Sequence, residues 1–425
     1  MKFRLLSIFF ITFCISYAQN TGKIEWGSEV NDNILNIEQL PVNFDLRESG
    51  RLSPIKTQPD GGCWTSATMT SVESLFRTFG YGKFELSDIN LKLCHCFDPE
   101  RSSNGNHFMA TAYFSRGAGP LPKAPETDSL CDLTPQTTAY ITDARFLPDN
   151  PSLIKKVIMN FGAVYSMMYF NKNELDTVSN VYYAKSRKIN HVIDIIGWND
   201  TINTITGKGV WIAQNSLGIK FGDSGFFYIP YDDPNILQYN AIWNKWIAYD
   251  SLLQIYYYDT LGSYRSYGYN DSLIYGLIKF TAGSDCEIIK IGTSVNHPDT
   301  RIYTEIYTGF NKKTGKLTGK SAIISEKNCK YPGYYSFDLE NPVSLTKGED
   351  FYILMRYIVP GVSMPMPVEQ YVEGYGNPEL TSKKCWINHN IEQWPDAWYE
   401  TGAESEFEFL KFNLCIKAYC VDSGD

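Results

Sequence analysis

Histidine is scarce in this sequence, long apolar runs are confined to its start, and positive charge is outnumbered. Each shortage removes something. With five histidines in 425 residues, the candidates for an imidazole base can be taken one by one. Beyond residue 18 no stretch is long and apolar enough to cross a bilayer as a helix, so no helical membrane span is expected. The 38 lysines and arginines face 47 acidic residues, a formal net charge of -9. An acidic chain is a poor partner for nucleic acid or anionic lipid, whose phosphates repel it. Neither an internal repeat nor a low-complexity tract is present.

What remains is ordinary for globular protein: 43% hydrophobic and 20% charged residues, in a length that suits two domains. The first eighteen residues, MKFRLLSIFFITFCISYA, stand apart. Lys2 and Arg4 precede an apolar run, and Ser16 and Ala18 take the small-residue positions of a cleavage site, the layout of a secretory signal. Cys14 lies in that run without the small residues that precede a lipidated cysteine, and is expected to leave with it. Loss of residues 1–18 takes the net charge to -11 and leaves nine cysteines. Setting Cys63 aside, eight remain that an oxidising compartment allows to pair, with about 105 connectivities open. The expected location is secreted or at the cell surface, and the expected partners there are proteins, peptides or glycans. Residues 19–39 are polar and read as a short leader, too short to form a folded inhibitory propeptide.

Residues 40–250 are mixed in character. Trp64, Ala67, Val72, Leu75, Phe76 and Phe79 recur at helical spacing until Gly80 and Gly82 end the run. Further helical segments are expected near 106–115 and 152–161. Three strand-like stretches follow: HVIDIIG (191–197), GVWIAQN (209–215) and GFFYIPY (225–231). Helices first and strands later suit an α+β domain. Over residues 251–425 alternation takes over. Ile302, Thr304 and Ile306 fall on one face of RIYTEIYT, and Tyr303, Glu305 and Tyr307 on the other. Short strands between Gly, Pro and Asn turns point to a β-sandwich.

Cys63, in QPDGGCWTSATMTSVESLF, sits at the first turn of the first helix. A thiol is a nucleophile only as thiolate, which a helix amino terminus and a nearby imidazole both favour. A single cysteine beside apolar residues is most often a small core residue, so a histidine must be found for it. His191 opens one strand and Asn215 closes the next. If these strands pair antiparallel about Asn203, the two residues face each other. An asparagine oxygen there can fix the tautomer and orientation of the imidazole. Asp194, three residues along the strand, points to the opposite face. Gln58 and the backbone N–H of Cys63 are the candidate donors to an oxyanion.

Other features read more plainly. Cys94, His95 and Cys96 offer two thiols and an imidazole, but three consecutive residues rarely point at one metal, and a fourth ligand is needed. A disulfide or buried thiols are expected instead. His107 is expected at a polar rim, and Asp232 and Asp233 as solvated turn acids.

The stretches LPVNFDLRESGRLSPIKTQPDGGCW and NHVIDIIGWND…GVWIAQNSLGIKFGDSGFFYI resemble the two halves of a papain-like cysteine peptidase. In that family the histidine and asparagine lie about 130–150 residues after the nucleophile. Here the separations are 128 and 152. The resemblance implies a helical left lobe and a β-rich right lobe, with Cys63 as nucleophile, His191 as base, Asn215 as orienter and Gln58 at the oxyanion. It also implies substrate contacts from Trp64, Asn190 and Gly105 (in NGNHFMATAY), a Cys94–Cys131 disulfide, and no metal or cofactor. YYYDTLGSYRSYG, PGYYSFDLENPVSLTKGEDFYI and PMPVEQY resemble the lectin-like domain that follows the peptidase in some bacterial secreted or surface relatives.

Two departures stand out. QPDGGCW is one residue shorter between glutamine and nucleophile than the family pattern and lacks its extra half-cystine. Leu217 stands where the family has a tryptophan shielding the asparagine–histidine bond, so a more hydrated imidazole is expected. The whole reads as an α+β, papain-like two-lobed peptidase domain followed by an all-β, lectin-like sandwich. The function expected is a secreted cysteine endopeptidase acting through a thioester acyl-enzyme. The competing reading is a catalytically impaired peptidase fold serving as an adhesin.

Overall fold

The computed structural model describes residues 39–98, 104–124, 131, 137–186 and 188–423. The signal at 1–18 and nearly all of the leader lie outside them. Helix α1 (Cys63–Thr78) is buried from Trp64 to Phe76, its polar side included. Its polar groups find partners: Ser71 Oγ donates to Ala163 O at 2.8 Å, Ser74 Oγ to Arg51 O at 2.8 Å, and Glu73 pairs with Lys56 at 2.7 Å. A helix enclosed all round can run between two lobes only if such groups are satisfied.

The other helices carry good amino-terminal caps. Ser87 caps α2 (Asp88–Leu93), Asn106 caps α3 (His107–Ser115), and Asn150 with Pro151 at the first turn starts α4 (Pro151–Phe161). Helix α1 alone of the four has no side-chain cap, its N-cap being Gly62. Its first N–H groups, those of Cys63 and Trp64, lie against the Cys63 sulfur instead.

The strands expected at 191–197, 209–215 and 225–231 are His191–Asn203, Lys208–Gln214 and Phe226–Pro230, paired in that order. They belong to a 13-stranded sheet that does not stop at the peptidase half. Strand Ala139–Leu147 pairs with Gln238–Ala248 on one side and with Gly333–Leu345 on the other. Gly333 lies opposite Arg145 and Tyr334 opposite Ala144. Around this junction Arg145 donates to Tyr334 O at 2.7 Å and stacks over the Tyr335 ring at 3.4 Å, and Ser336 Oγ donates to Asp143 at 2.5 Å.

In the second half, strands Leu253–Tyr256, Ile416–Asp422, Cys286–Val295 and Gly333–Leu345 of that sheet lie side by side. A six-stranded sheet that includes Thr300–Asn311, Asp350–Ile358 and Leu273–Thr281 shares a core with them. Ile302, Thr304 and Ile306 are buried, and on the opposite face Glu305 and Tyr307 are buried as well, with Tyr303 partly exposed.

The Cys94–Cys131 disulfide is present. Among the described residues, Cys286, Cys329, Cys385, Cys415 and Cys420 serve as small buried core residues.

Candidate active site

The approach to Cys63 is a tight turn. Gly62 N–H donates to Pro59 O at 2.8 Å, and Gly61 holds φ at 64°. A Cβ on Gly62 would stand 2.5 Å from Pro59 Cγ. The two glycines let five residues span from Gln58 to the helix. Cys63 is partly exposed, and its sulfur lies within reach of the Val192 N–H, next in chain to His191. Burial pushes the thiol up, against the pull of the N–H groups of Val192, Trp64 and Cys63 itself.

His191 Nε2 lies 2.9 Å from Asn215 Oδ1. The contact is as expected, but the register is not. Asp194 pairs with Gln214 and Ile195 with Ala213, so the ladder carried on would set Asn215 opposite Ile193. Irregularities between Ile195 and Gly197 and between Asn199 and Asn203 add residues to the first strand. The offset is two residues, which leaves His191 and Asn215 on the same face as diagonal neighbours. Asp194 is buried in another environment, near Glu73 and Lys56, where burial pushes its carboxyl well up.

Ser216 carries no marker in the sequence and yet holds the site together. Its backbone N–H donates to Asn215 Oδ1 at 2.8 Å. A backbone N–H can only donate, so that atom must be the oxygen, and a neutral His191 must carry its proton on Nε2. Nδ1 is left with its lone pair. The Ser216 hydroxyl donates to Gln58 Oε1 at 2.6 Å, and Gln58 N–H donates to Ser216 O at 2.8 Å. Thr57 bridges Leu217 in the same short antiparallel run. With its oxygen engaged, Gln58 has its amide NH2 available as a donor.

Leu217 does not shield the His191–Asn215 pair. It is 40% exposed, whereas Asn215 is 1% and His191 9% exposed. Cover comes from Phe170, whose ring lies 5.0 Å from the imidazole and 5.7 Å from Phe221. The expectation of a more hydrated imidazole is thereby corrected: burial pushes His191 down, opposed by its bond to Asn215.

Asn190 is exposed, and its side-chain amide is engaged by the Phe170 backbone. Its Oδ1 accepts from Phe170 N at 2.7 Å and its Nδ2 donates to Phe170 O at 3.0 Å, which fixes the ring over His191. Trp64, in contrast, is fully buried, so it offers no surface to a substrate. It is the floor under Gly105, where a Cβ would stand 2.1 Å from its indole.

His107 is also buried, among the rings of Phe108, Phe146 and Tyr165, and not at a rim. Burial brings its pKa down to about 3, so it stays neutral. The CHC residues part company: Cys94 is in the disulfide, His95 Nδ1 accepts from Phe97 N at 2.9 Å, and Cys96 is exposed beside Arg116.

Comparison with known proteins agrees with this arrangement. Residues 40–241 match the family model described as papain family cysteine protease, and residues 255–420 match the lectin like domain. Cathepsin M of Mus musculus is 23% identical over 218 residues, covering 46% of this chain and 62% of that protein. Cathepsin L2 of Homo sapiens is 25% identical over 211 residues, again covering 46% and 62%. The chain thus spans under two thirds of the length of either relative. The solved cysteine protease and lectin-like domains of Cwp84, a surface layer associated protein of Clostridium difficile, superpose with a TM-score of 0.75 at 20% identity, covering 91% of this chain and 90% of that one. Clostridial Cwp84 after propeptide cleavage gives 0.76 at 20% identity, covering 90% and 99%. At such identity the superposition speaks for the fold. Residues 40–241 thus form a papain-family cysteine protease domain, and residues 255–420 a lectin-like domain that follows it.

Proposed function

We propose that the protein is an exported cysteine endopeptidase that hydrolyses peptide bonds through a thioester acyl-enzyme. The observation that carries this reading is the hydrogen bond from His191 Nε2 to an Asn215 oxygen held by Ser216 N–H. It leaves Nδ1 as the atom that can take a proton from Cys63.

Burial disfavours each charge alone, raising the thiol and lowering the imidazole. An opposite charge alongside offsets both penalties, so sulfur and imidazole titrate as a pair when the proton passes between them. The thiolate then attacks the scissile carbonyl carbon. Gln58 Nε2 and the Cys63 N–H, at the uncapped start of α1, receive the oxyanion. The tetrahedral species collapses by breaking the C–N bond, and the imidazolium protonates the leaving amine. Water, deprotonated by His191, cleaves the thioester and returns the thiol. An active form starting within residues 19–39 and a second domain that seats the enzyme on a surface or glycan belong to the same reading.

The test is the pH dependence of alkylation. A free cysteine at pH 5.5 holds about 0.1% thiolate, so it reacts slowly with iodoacetamide. Cys63 should react stoichiometrically there, and His191→Ala should remove that reactivity. A wild-type thiol that becomes reactive only near pH 8–9 would rule out the peptidase in favour of an inert, adhesive protein.

Ser216→Ala separates the two duties of that residue. The backbone N–H to Asn215 survives, while Gln58 loses its restraint. Turnover of a peptide substrate should fall about tenfold, or ~1.4 kcal/mol in the barrier, with the rate of Cys63 alkylation unchanged. A parallel loss of both would mean that the hydroxyl acts on the cysteine–histidine pair.

A further inference from the structure

We infer that the second domain supplies part of the substrate-binding wall, with Tyr375 as a positioning residue for the Gly105 segment. The inference rests on the peptidase reading above.

Gly105 and Asn106 run extended into α3, Asn106 at φ -151° and ψ 177°. Among the described residues the N–H and C=O of Gly105 take no backbone partner, and the residue is partly exposed. Such an edge, resting on the indole that follows Cys63, can pair with an extended peptide. Its usefulness depends on being held still.

Three things hold it. Trp64 supports Gly105 from below. Asn106 Oδ1 caps α3 by accepting from Phe108 N at 3.0 Å and Met109 N at 3.1 Å. Those two donors fix which end of the amide is oxygen, so Nδ2 is the end that donates to the Tyr375 hydroxyl, at 3.3 Å, while the hydroxyl donates to Oδ1 at 3.4 Å. Tyr375 comes from the second domain and is 7% exposed. Its ring meets Phe97 at 5.1 Å and Tyr264 at 5.1 Å, and its carbonyl accepts from Asp98 N at 3.1 Å. The loop closes on itself through Val372 N to Gly376 O at 3.0 Å and Tyr375 N to Val372 O at 3.0 Å. At Gly376 a Cβ would stand 2.8 Å from Leu261 Cδ1, so a side chain there would have to displace that leucine. The loop, closed by its own hydrogen bonds, thus delivers one hydroxyl to the cap residue next to Gly105. Removing that hydroxyl leaves the helix cap intact and loosens the wall.

The experiment uses the full chain carrying Tyr375→Phe, assayed on a four-residue chromogenic peptide and on an activated ester of one blocked amino acid. KM for the peptide should rise about fivefold, the worth of one neutral hydrogen bond, with kcat nearly unchanged and the ester unaffected. Amide hydrogen exchange over 105–109, measured with Cys63→Ser in both proteins to prevent self-digestion, should be faster in the variant. Asn106→Ser retains a capping side chain too short to reach Tyr375, so Tyr375→Phe should add nothing in that background. Equal KM changes for both substrates, additive effects in the double variant, or unchanged exchange would overturn the positioning role. A wild-type protein inert on both substrates would instead overturn the peptidase reading, and the exchange comparison would still report on the contact.

Discussion

Cys63→Ala should abolish peptide hydrolysis, by about 10⁴-fold or more, and leave the fold intact. The proposed nucleophile has no substitute in the cleft: among the other described cysteines, Cys94 and Cys131 form the disulfide, Cys286, Cys329, Cys385, Cys415 and Cys420 are buried in the core, and Cys96 is exposed beside Arg116. Losing a nucleophile that works as one unit with its base removes nearly all of the covalent route at once. The structural cost is small, because Cys63 is only partly buried and alanine is the best helix former. Hydrolysis of a peptide library, read by mass spectrometry, measures the first part, and the thermal midpoint measures the second. Activity persisting in a folded variant would end the assignment of Cys63. A collapse of the midpoint would mean that the thiol has a packing role that its exposure does not suggest.

The second large effect concerns the other half of the chain. A protein truncated after Ala248 should not fold. One hydrophobic cluster contains Trp64, Met109, Phe114, Tyr165 and Trp243 together with Leu253, Leu261, Tyr334, Tyr375 and Tyr419. Deleting the last five uncovers their partners at ~1.5–3 kcal/mol for each large side chain, roughly 10 kcal/mol in all. That is comparable to the entire stability of an ordinary domain. Strand Ala139–Leu147 would also become a bare sheet edge and a site for aggregation. Circular dichroism and a melting curve of the truncated protein decide this. A cooperative transition with hydrolysis retained would show that the first domain closes its own core.

The parts of this architecture that could be read from the chain are those set by local pattern. Helix α1 starts at Cys63 and ends at Thr78, where the apolar spacing and the following glycines put it. The alternation around Ile302 locates a buried face because period two leaves a strand no choice. The His191–Asn215 pair was legible because an error of two residues in register preserves the face. What escaped depends on distant chain. AYITDARFL, the strand that joins the two halves, carries Asp143 and Arg145, which bond each other at 2.9 Å and hide a central strand behind charged letters. Leu217 in place of a tryptophan suggested a more hydrated imidazole, but the covering ring is Phe170, brought there by the amide of Asn190. Ser216 gave no sign beyond following Asn215, since half of what it does is done by its backbone.

The uninterrupted sheet has a mechanical side. Two domains joined by a flexible tether swing independently, and the orientation of a cleft relative to an anchor is then averaged away. Here hydrogen-bonded ladders run from Ile416–Asp422 through Ala139–Leu147 to His191–Asn203 with no hinge between them. If the lectin-like half grips a surface, the cleft is held at one height and one bearing above it, like a blade clamped in a plane. Bonds lying outside that band would be spared whatever their sequence, so selectivity would be set partly by geometry of mounting and not only by the residues lining the cleft.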